Sequence, residues 1–505
     1  MRTVKGRGDH VVVIGAGLAG LAAALHLAGR GRAVTVVERY PWPGGRAGRL
    51  DIDGYRIDTG PTVLTMPDII DDTFAAVGET RSDRLELLHL DPAYRATFSD
   101  GSALDVHSDA DRMTAAVEEF AGFGQAAGYR KLREWLTRLY RIEFDGFIAA
   151  NFDSPLSLLT PQLARLAAIG GFRKWDRMVK RYLSDPRLQR VFTFQSLYAG
   201  VAPRDALAVY AVIAYMDTIA GVVFPRGGVR ALPDALAAAA ADAGVRFCYG
   251  APVTALERSG DRVVAVRTDA ERIACDAVIL TTELPQTYAL LGRTPRRAVP
   301  LRASPSAVVA HLGCPALASG TAHHTILFGD AWDRTFTDII RDGRVMTDPS
   351  LLVTRPTAGD PSLAPQGRDL LYVLAPAPNL DRGTVDWAST ADGYVETMIA
   401  TVADRLLPGL AEEAQVLDVV TPVDWARQGM AAGSPFAVSH TFGQTGPFRP
   451  ANMVRGIENA VLAGSSTVPG VGVPTTLISG RLAADRVTGV AKRPATHVDL
   501  KAALP

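Results

Sequence analysis

An α/β fold is predicted for this chain on three observations. Residues 11–46 read as strand, glycine-rich turn, helix and second strand; residues from about 108 to 220 are strongly helical; and strand and turn signals return afterwards. The first observation is the most specific. Val11 to Ile14 form a short apolar run, Gly15, Gly17 and Gly20 give GxGxxG, and Thr35 to Val37 make a second strand that closes on Glu38. Each part has a task in holding a dinucleotide: Gly15 allows the tight turn, Gly17 lets backbone approach a pyrophosphate, and Gly20 brings the helix close to the strand. The helix N-terminus then faces the phosphates. Glu38 lies where the second strand presents a carboxylate to a ribose hydroxyl, and it disfavours NADP, whose extra phosphate it would repel. Arg2, Lys5 and Arg7 before an apolar stretch also suit a signal peptide or membrane anchor. Three glycines at dinucleotide spacing, followed by a strand, argue against that reading.

At 505 residues the chain exceeds one simple core, so two or more domains are expected. Lys+Arg and Asp+Glu balance at 53 each, which removes any global argument for a nucleic-acid partner. Cys248, Cys275 and Cys314 have no CxxC spacing, so neither a disulfide framework nor a zinc site is expected, and a reducing cytoplasm fits. Adjacent His323 and His324 are read as structural residues on opposite faces of a strand, with no metal implied. No apolar span of transmembrane length stands outside the glycine-rich unit.

Along the chain, residues 55–66 read as loop and strand with a Gly60-Pro61 turn. In the helical stretch, Leu132, Trp135, Leu136, Leu139, Ile142 and Phe147 recur at three- and four-residue steps, a broad apolar face suited to core packing. From Phe224 the pattern returns to loop, Ala-rich helix, strand, turn and strand, with a buried strand at Ala277 to Leu280. Ala307 to Leu312 and Leu370 to Leu374 read as strands, and a helix is expected near 390 to 406. The sequence therefore predicts a Rossmann-like domain assembled from residues 8–100, 222–300 and 421–492. A helix-rich α+β domain is inserted in two pieces, 101–221 and 301–420, and 493–505 form a loose tail.

Two further segments suit the dinucleotide. Gly44-Gly45-Arg46 follows the acid-bearing strand, where backbone comes close to a cofactor and Arg46 is placed to pair with a pyrophosphate oxygen. The Gly464 to Gly472 loop leads into Val473-Pro474-Thr475, with Pro in a first helical turn and free amides that suit the electron-rich oxygens of a flavin. One local charge patch stands out. Arg165, Arg173, Lys174, Arg177, Lys180, Arg181, Arg187 and Arg190 interleave with Phe172, Trp175 and Met178. A basic helix of this kind lies on an anionic membrane or is a solvated face.

The segments GGR after the acid, DTGPTVLTMP, YAGVAPRDALAVYAVIAYMDTIAGVVFPRGG, DPSLAPQGRDLLYVLAPAPNL and LAGSSTVPGVGVPTTLISG occur in that order. With them, the chain from about residue 10 to 490 resembles the bacterial phytoene desaturases, carotenoid-forming members of the flavin amine oxidase superfamily. The resemblance implies non-covalent FAD, phytoene or a related long isoprenoid hydrocarbon as substrate, and loose attachment to the inner face of the cell membrane from the cytoplasmic side. Oxygen or a quinone is the implied electron acceptor. By position, Gly15, Gly17, Gly20, Glu38, Gly45 and Arg46 would hold the ADP half, Val253 would meet the adenine, and the segment from Gly464 through Val473 to Thr475 would lie along the flavin. Two departures stand out: Thr467-Val468-Pro469-Gly470 replaces the usual Thr-His-Pro-Gly, and Ser465-Ser466 stands where the superfamily often has an acid.

No GxSxG or HExxH is present and no side chain is assigned a catalytic role, in keeping with cofactor chemistry. A hydrocarbon substrate needs a long apolar tunnel, with Phe192, Phe194, Tyr198, Tyr210 and Tyr215 as candidate walls. A desaturase of a later carotenoid, a carotenoid isomerase, a small-amine oxidase and a flavin-free lipid escort remain alternatives at this point.

Overall fold

The computed structural model describes residues 1–489 except 296, 298 and 319. The expected tail, 493–505, lies outside the described residues. Five parallel strands form one sheet in the order Arg246–Cys248, Ala33–Val37, His10–Ile14, Ala277–Leu280 and Ala460–Leu462, so three separated chain segments build it. Val11, Val12 and Val13 are fully buried, as the uninterrupted apolar run of a parallel strand covered on both faces requires. On one face Val11 and Val13 share a core with the helices Leu18–Ala28, Ala231–Asp242 and Val473–Thr488. On the other, Val12 and Val278 pack against a small antiparallel sheet that includes Arg262–Thr268.

Helices Leu18–Ala28 and Val473–Thr488 meet backbone to backbone. A Cβ on Gly480 would collide with the Ala19 carbonyl and stand 2.8 Å from both the Ala22 Cβ and the Ala23 nitrogen.

A second sheet has seven strands in the order Gln415–Val420, Ser306–Pro315, Arg368–Ala377, Leu351–Thr354, His324–Phe328, Tyr94–Phe98 and Ala103–Val106. Strand alternation divides its faces. Val308, Ala310 and Leu312 share a core with Met398 and Val402 of the helix Trp387–Arg405, whereas Ala307 and Val309 face a cavity. Residues 94–98 thus pair with the second sheet and not with the first, because Tyr94–Phe98 lies parallel to His324–Phe328. A strand, Ala103–Val106, also opens the stretch expected to be helical.

The helical part is built on Phe123–Glu143. Leu132, Leu136 and Leu139 are fully buried, and Trp135 stacks on Trp175 with ring centroids 5.7 Å apart. His323 and His324 differ from expectation. His323 sits in a bend just before the strand, so the two buried rings turn toward each other, with the Nδ1 atoms 3.2 Å apart.

The helix contact leaves no room for a side chain at Gly480. Gly480→Val should cost about 3 kcal/mol or more in a denaturant titration, since backbone atoms cannot yield as a flexible side chain would. Gly393→Ala, at an exposed helical position with open space around its Cβ, should leave stability unchanged or raise it by up to about 1 kcal/mol.

Candidate active site

The C-terminal ends of the parallel strands open into one cavity of about 700 Å³. Gly15, Gly17, Glu38, Gly45, Arg46, Val253, Gly464, Val473 and Thr475 all face it. Gly20 does not. A Cβ there would run into the Gly15 carbonyl, so Gly20 serves the close packing of helix on strand.

Backbone alone forms the floor near the first turn. Gly17 and Gly44 make an isolated parallel bridge, and a Cβ on Gly45 would lie 3.1 Å from the Gly17 Cα. The helix Leu18–Ala28 begins beside this floor with no side chain capping it, leaving its first amides free to meet an anion. Glu38 is pinned at its strand end: Oε2 accepts from the Ala16 amide at 2.7 Å and Oε1 from the Tyr40 amide at 3.0 Å. The Ala251 amide donates to the Glu38 carbonyl at 2.8 Å, which draws Val253 to the same rim. At the opposite wall, the 16-residue helix Val473–Thr488 also starts uncapped, at Gly472.

Arg46 is not left free for a phosphate. It forms an ion pair with Glu283 and donates to the Ser465 hydroxyl. The Ser466 hydroxyl reaches Glu283 Oε2 at 3.4 Å. A carboxylate therefore does stand beside Ser465-Ser466, supplied by Glu283 just beyond the strand Ala277–Leu280.

Arg449, only 1% exposed, ties this loop to another segment. Its guanidinium donates to the carbonyls of Ser465 (2.6 Å), Thr467 (2.8 Å), Val438 (2.9 Å) and Gln444 (3.2 Å). Burial lowers its pKa to about 9, so it stays charged at neutral pH.

The far part of the cavity is apolar. Of the expected walls, Phe194, Tyr198 and Tyr210 line it. Phe192 and Tyr215 instead stack on Tyr129 and Tyr140 in the core. Two acids missed in the sequence also face this space, Glu143 and Asp217. Burial pushes Asp217 up to about 8 against a weaker opposing hydrogen bond from Gln195, and it raises Glu143 well above the usual carboxylate range. Glu143 Oε1 has no hydrogen-bond partner. Nothing in the local spacing of either acid marks it, because only the tertiary fold brings it to the cavity.

The basic stretch is not one helix. It breaks into Pro161–Ala168, Trp175–Val179 and Pro186–Val191, with Trp175 and Met178 buried. Arg187 pairs with Asp185, and Arg190 donates to the Gly329 carbonyl. Leu156 and Leu159 are 73% and 75% exposed. Exposed Phe172 and Phe442 line the same cavity, as does the half-buried Leu158. Among the described residues, no helix is long and apolar enough to cross a membrane.

Residues 18–488 match the family of flavin containing amine oxidoreductases. The chain belongs to this family. Among its relatives, a phytoene dehydrogenase of Streptomyces griseus is 63% identical over 97% of both chains. A zeta-carotene-forming phytoene desaturase of Myxococcus xanthus is 37% identical over 95% of this chain and 94% of that one. The solved structure of an oxidoreductase from Methanosarcina mazei shares the fold at a TM-score of 0.60 and 16% identity, over 94% of this chain and 99% of the other. The bare glycine floor, free helix start and pinned carboxylate suit the flavin dinucleotide of this oxidoreductase family.

Gly17 separates binding from folding. A Cβ there meets nothing nearer than the Gly45 Cα, at 3.9 Å. Gly17→Val should therefore keep the unfolding midpoint of flavin-free wild type but purify without flavin, checked by the 450 nm band per chain. Full flavin in that variant would remove this turn from the site.

Proposed function

We propose that this chain is an FAD-dependent desaturase that introduces double bonds into phytoene or a related long isoprenoid hydrocarbon. The observation that carries the proposal is continuity: one cavity joins the glycine floor to an apolar compartment walled by Phe194, Ile326 and Phe328. Such a substrate offers almost nothing to hydrogen-bond, so its affinity comes from burial, about 2.5 kcal/mol per 100 Å². The names carried by the Streptomyces and Myxococcus relatives support the same substrate class.

When bound, the flavin supplies the two-electron acceptor for hydride, and oxygen or a quinone then takes the electrons away. Gly15, Gly17, Gly45 and the start of Leu18–Ala28 would hold the pyrophosphate by backbone, and Glu38 would take the ribose, while Val253 would border the adenine. Arg46 and Glu283 would act as a pair toward the sugar-like linker, and Gly464 to Thr475 would lie along the ring. Val473 and Thr475 belong to a helix start that favours negative charge there. The helical stretch and the seven-stranded sheet form the substrate side, and they exclude water from the apolar compartment.

Exposed Leu156 and Leu159, which flank the cavity-lining Leu158 in sequence, and exposed Phe172 and Phe442 at the cavity, together with exposed Arg165, Arg173 and Arg177, suit peripheral docking on an anionic bilayer. A lipid-dissolved substrate then reaches the cavity without crossing water.

Anaerobic mixing of the flavin-loaded protein with phytoene in liposomes should bleach the 450 nm band as long-wavelength polyene absorption grows. Bleaching with a preformed coloured carotene but none with phytoene would move the assignment to a later desaturase. For docking, replacing Leu156 and Leu159 together by Asp should at least halve sedimentation with anionic liposomes while flavin content holds. Undiminished sedimentation would take the docking role from these leucines.

A further inference from the structure

Carbon–hydrogen oxidation of the kind proposed above releases a proton as well as a hydride equivalent, and the proton needs an acceptor in a compartment lined mostly by apolar side chains. Among the described residues, the ionisable side chains other than tyrosine that face the apolar part of the cavity are Glu143, Asp217 and His440. Their states differ. Burial raises both carboxyls, Asp217 to about 8, so each favours its protonated form over the carboxylate that a base would need. Burial, with help from the Arg449 charge, holds His440 well below the ordinary histidine value, so its imidazole is neutral and carries one unprotonated ring nitrogen.

Position separates His440 from the acids as well. Its backbone is fixed by its own amide donating to the Ala199 carbonyl at 2.7 Å, and by Ser439 donating to the Arg302 carbonyl at 3.0 Å. Arg449 then binds Val438 and Gln444 on either side of it, and Ser465 and Thr467 of the glycine loop, in one set of hydrogen bonds. The result is an imidazole pressed against Gly470. A Cβ at Gly470 would collide with the ring, and the glycine's φ of +147° also disfavours any other residue. Tyr210 meets the other side edge-on, with centroids 5.9 Å apart, while its hydroxyl is engaged by Thr445. The groups that act on the ring are therefore Arg449 and Tyr210, with Glu143 beyond Tyr210.

We propose that His440 is the base that receives the substrate proton. This rests on the desaturase reading above. One carbon gives up hydride to the flavin. The C–H bond on the adjacent carbon then breaks, leaving its electron pair in the new C=C and its proton on the imidazole nitrogen. A weak base suffices, because the electron-poor carbon formed by hydride loss makes the neighbouring hydrogen strongly acidic.

The test compares wild type, His440→Gln and His440→Ala as flavin-loaded proteins in phytoene liposomes. Turnover should fall about 100- to 10,000-fold in both variants, with flavin content and unfolding midpoint unchanged. Added imidazole should restore part of the activity of His440→Ala. Because the base must be unprotonated, wild-type turnover should be full at neutral pH and fall as pH drops below the ordinary histidine range. The residual turnover of His440→Gln should lack that acid limb. Independently of turnover, the bound flavin's absorption should titrate in the same acid range in wild type and not in His440→Gln. Turnover of His440→Gln within about threefold of wild type would overturn the proposal, as would an acid limb that persists in it. A wild type that holds flavin but desaturates no carotene would sink the desaturase reading and not the placement of His440, which the flavin titration still decides.

Discussion

The architecture depends on the close approach of two helices that are far apart in sequence. Leu18–Ala28 and Val473–Thr488 touch at Gly480 and Ala19, and each begins uncapped at the same cavity. A side chain at Gly480 would push them apart. Held together, they aim two helix N-termini at one space, which concentrates partial positive charge where a dinucleotide carries its phosphates and where a reduced flavin carries negative charge. The parallel sheet sets the distance between the two walls, because His10–Ile14 and Ala460–Leu462 flank Ala277–Leu280.

Low dielectric decides the chemistry of the remaining side chains. In the apolar compartment burial favours the neutral forms of the Glu143 and Asp217 carboxyls and of the His440 imidazole, each for the same reason that a charge is costly there. Arg449 is the exception. It keeps its charge because four carbonyls satisfy it, and those carbonyls belong to the two segments whose alignment the site needs. A fixed, buried cation thus stands behind the glycine loop, and the apolar part of the cavity itself carries little net charge, an environment suited to a hydrocarbon.

Much of the cofactor end was legible in sequence because backbone does the work there. Gly17 and Gly45 matter for what they lack, and a missing side chain is visible in a one-dimensional pattern. Glu38 is legible for a related reason, since a strand end fixes where it sits. Glu283, Arg449 and His440 were not legible, as they reach the site from segments outside the glycine-rich units and carry no local motif. The same limit explains Tyr94–Phe98, whose parallel partner is more than two hundred residues away. Helical spacing did locate Leu132, Leu136 and Leu139 in the core, but it could not tell Phe192 and Tyr215, which stack inward, from Phe194 and Tyr210, which face the cavity. The basic stretch misled because Trp175 and Met178 turn into the core and break the amphipathic face that a continuous helix would have shown.

That cofactor and hydrocarbon share one cavity is tested by a crystal structure of the flavin-loaded protein with a long polyene bound. Pyrophosphate density is expected beside Gly17 and Gly45, ring density along Gly464 to Val473, and polyene density running from His440 past Phe194 toward Leu158 and Phe172. Polyene density in a separate space with no contact to the flavin ring would contradict a shared cavity.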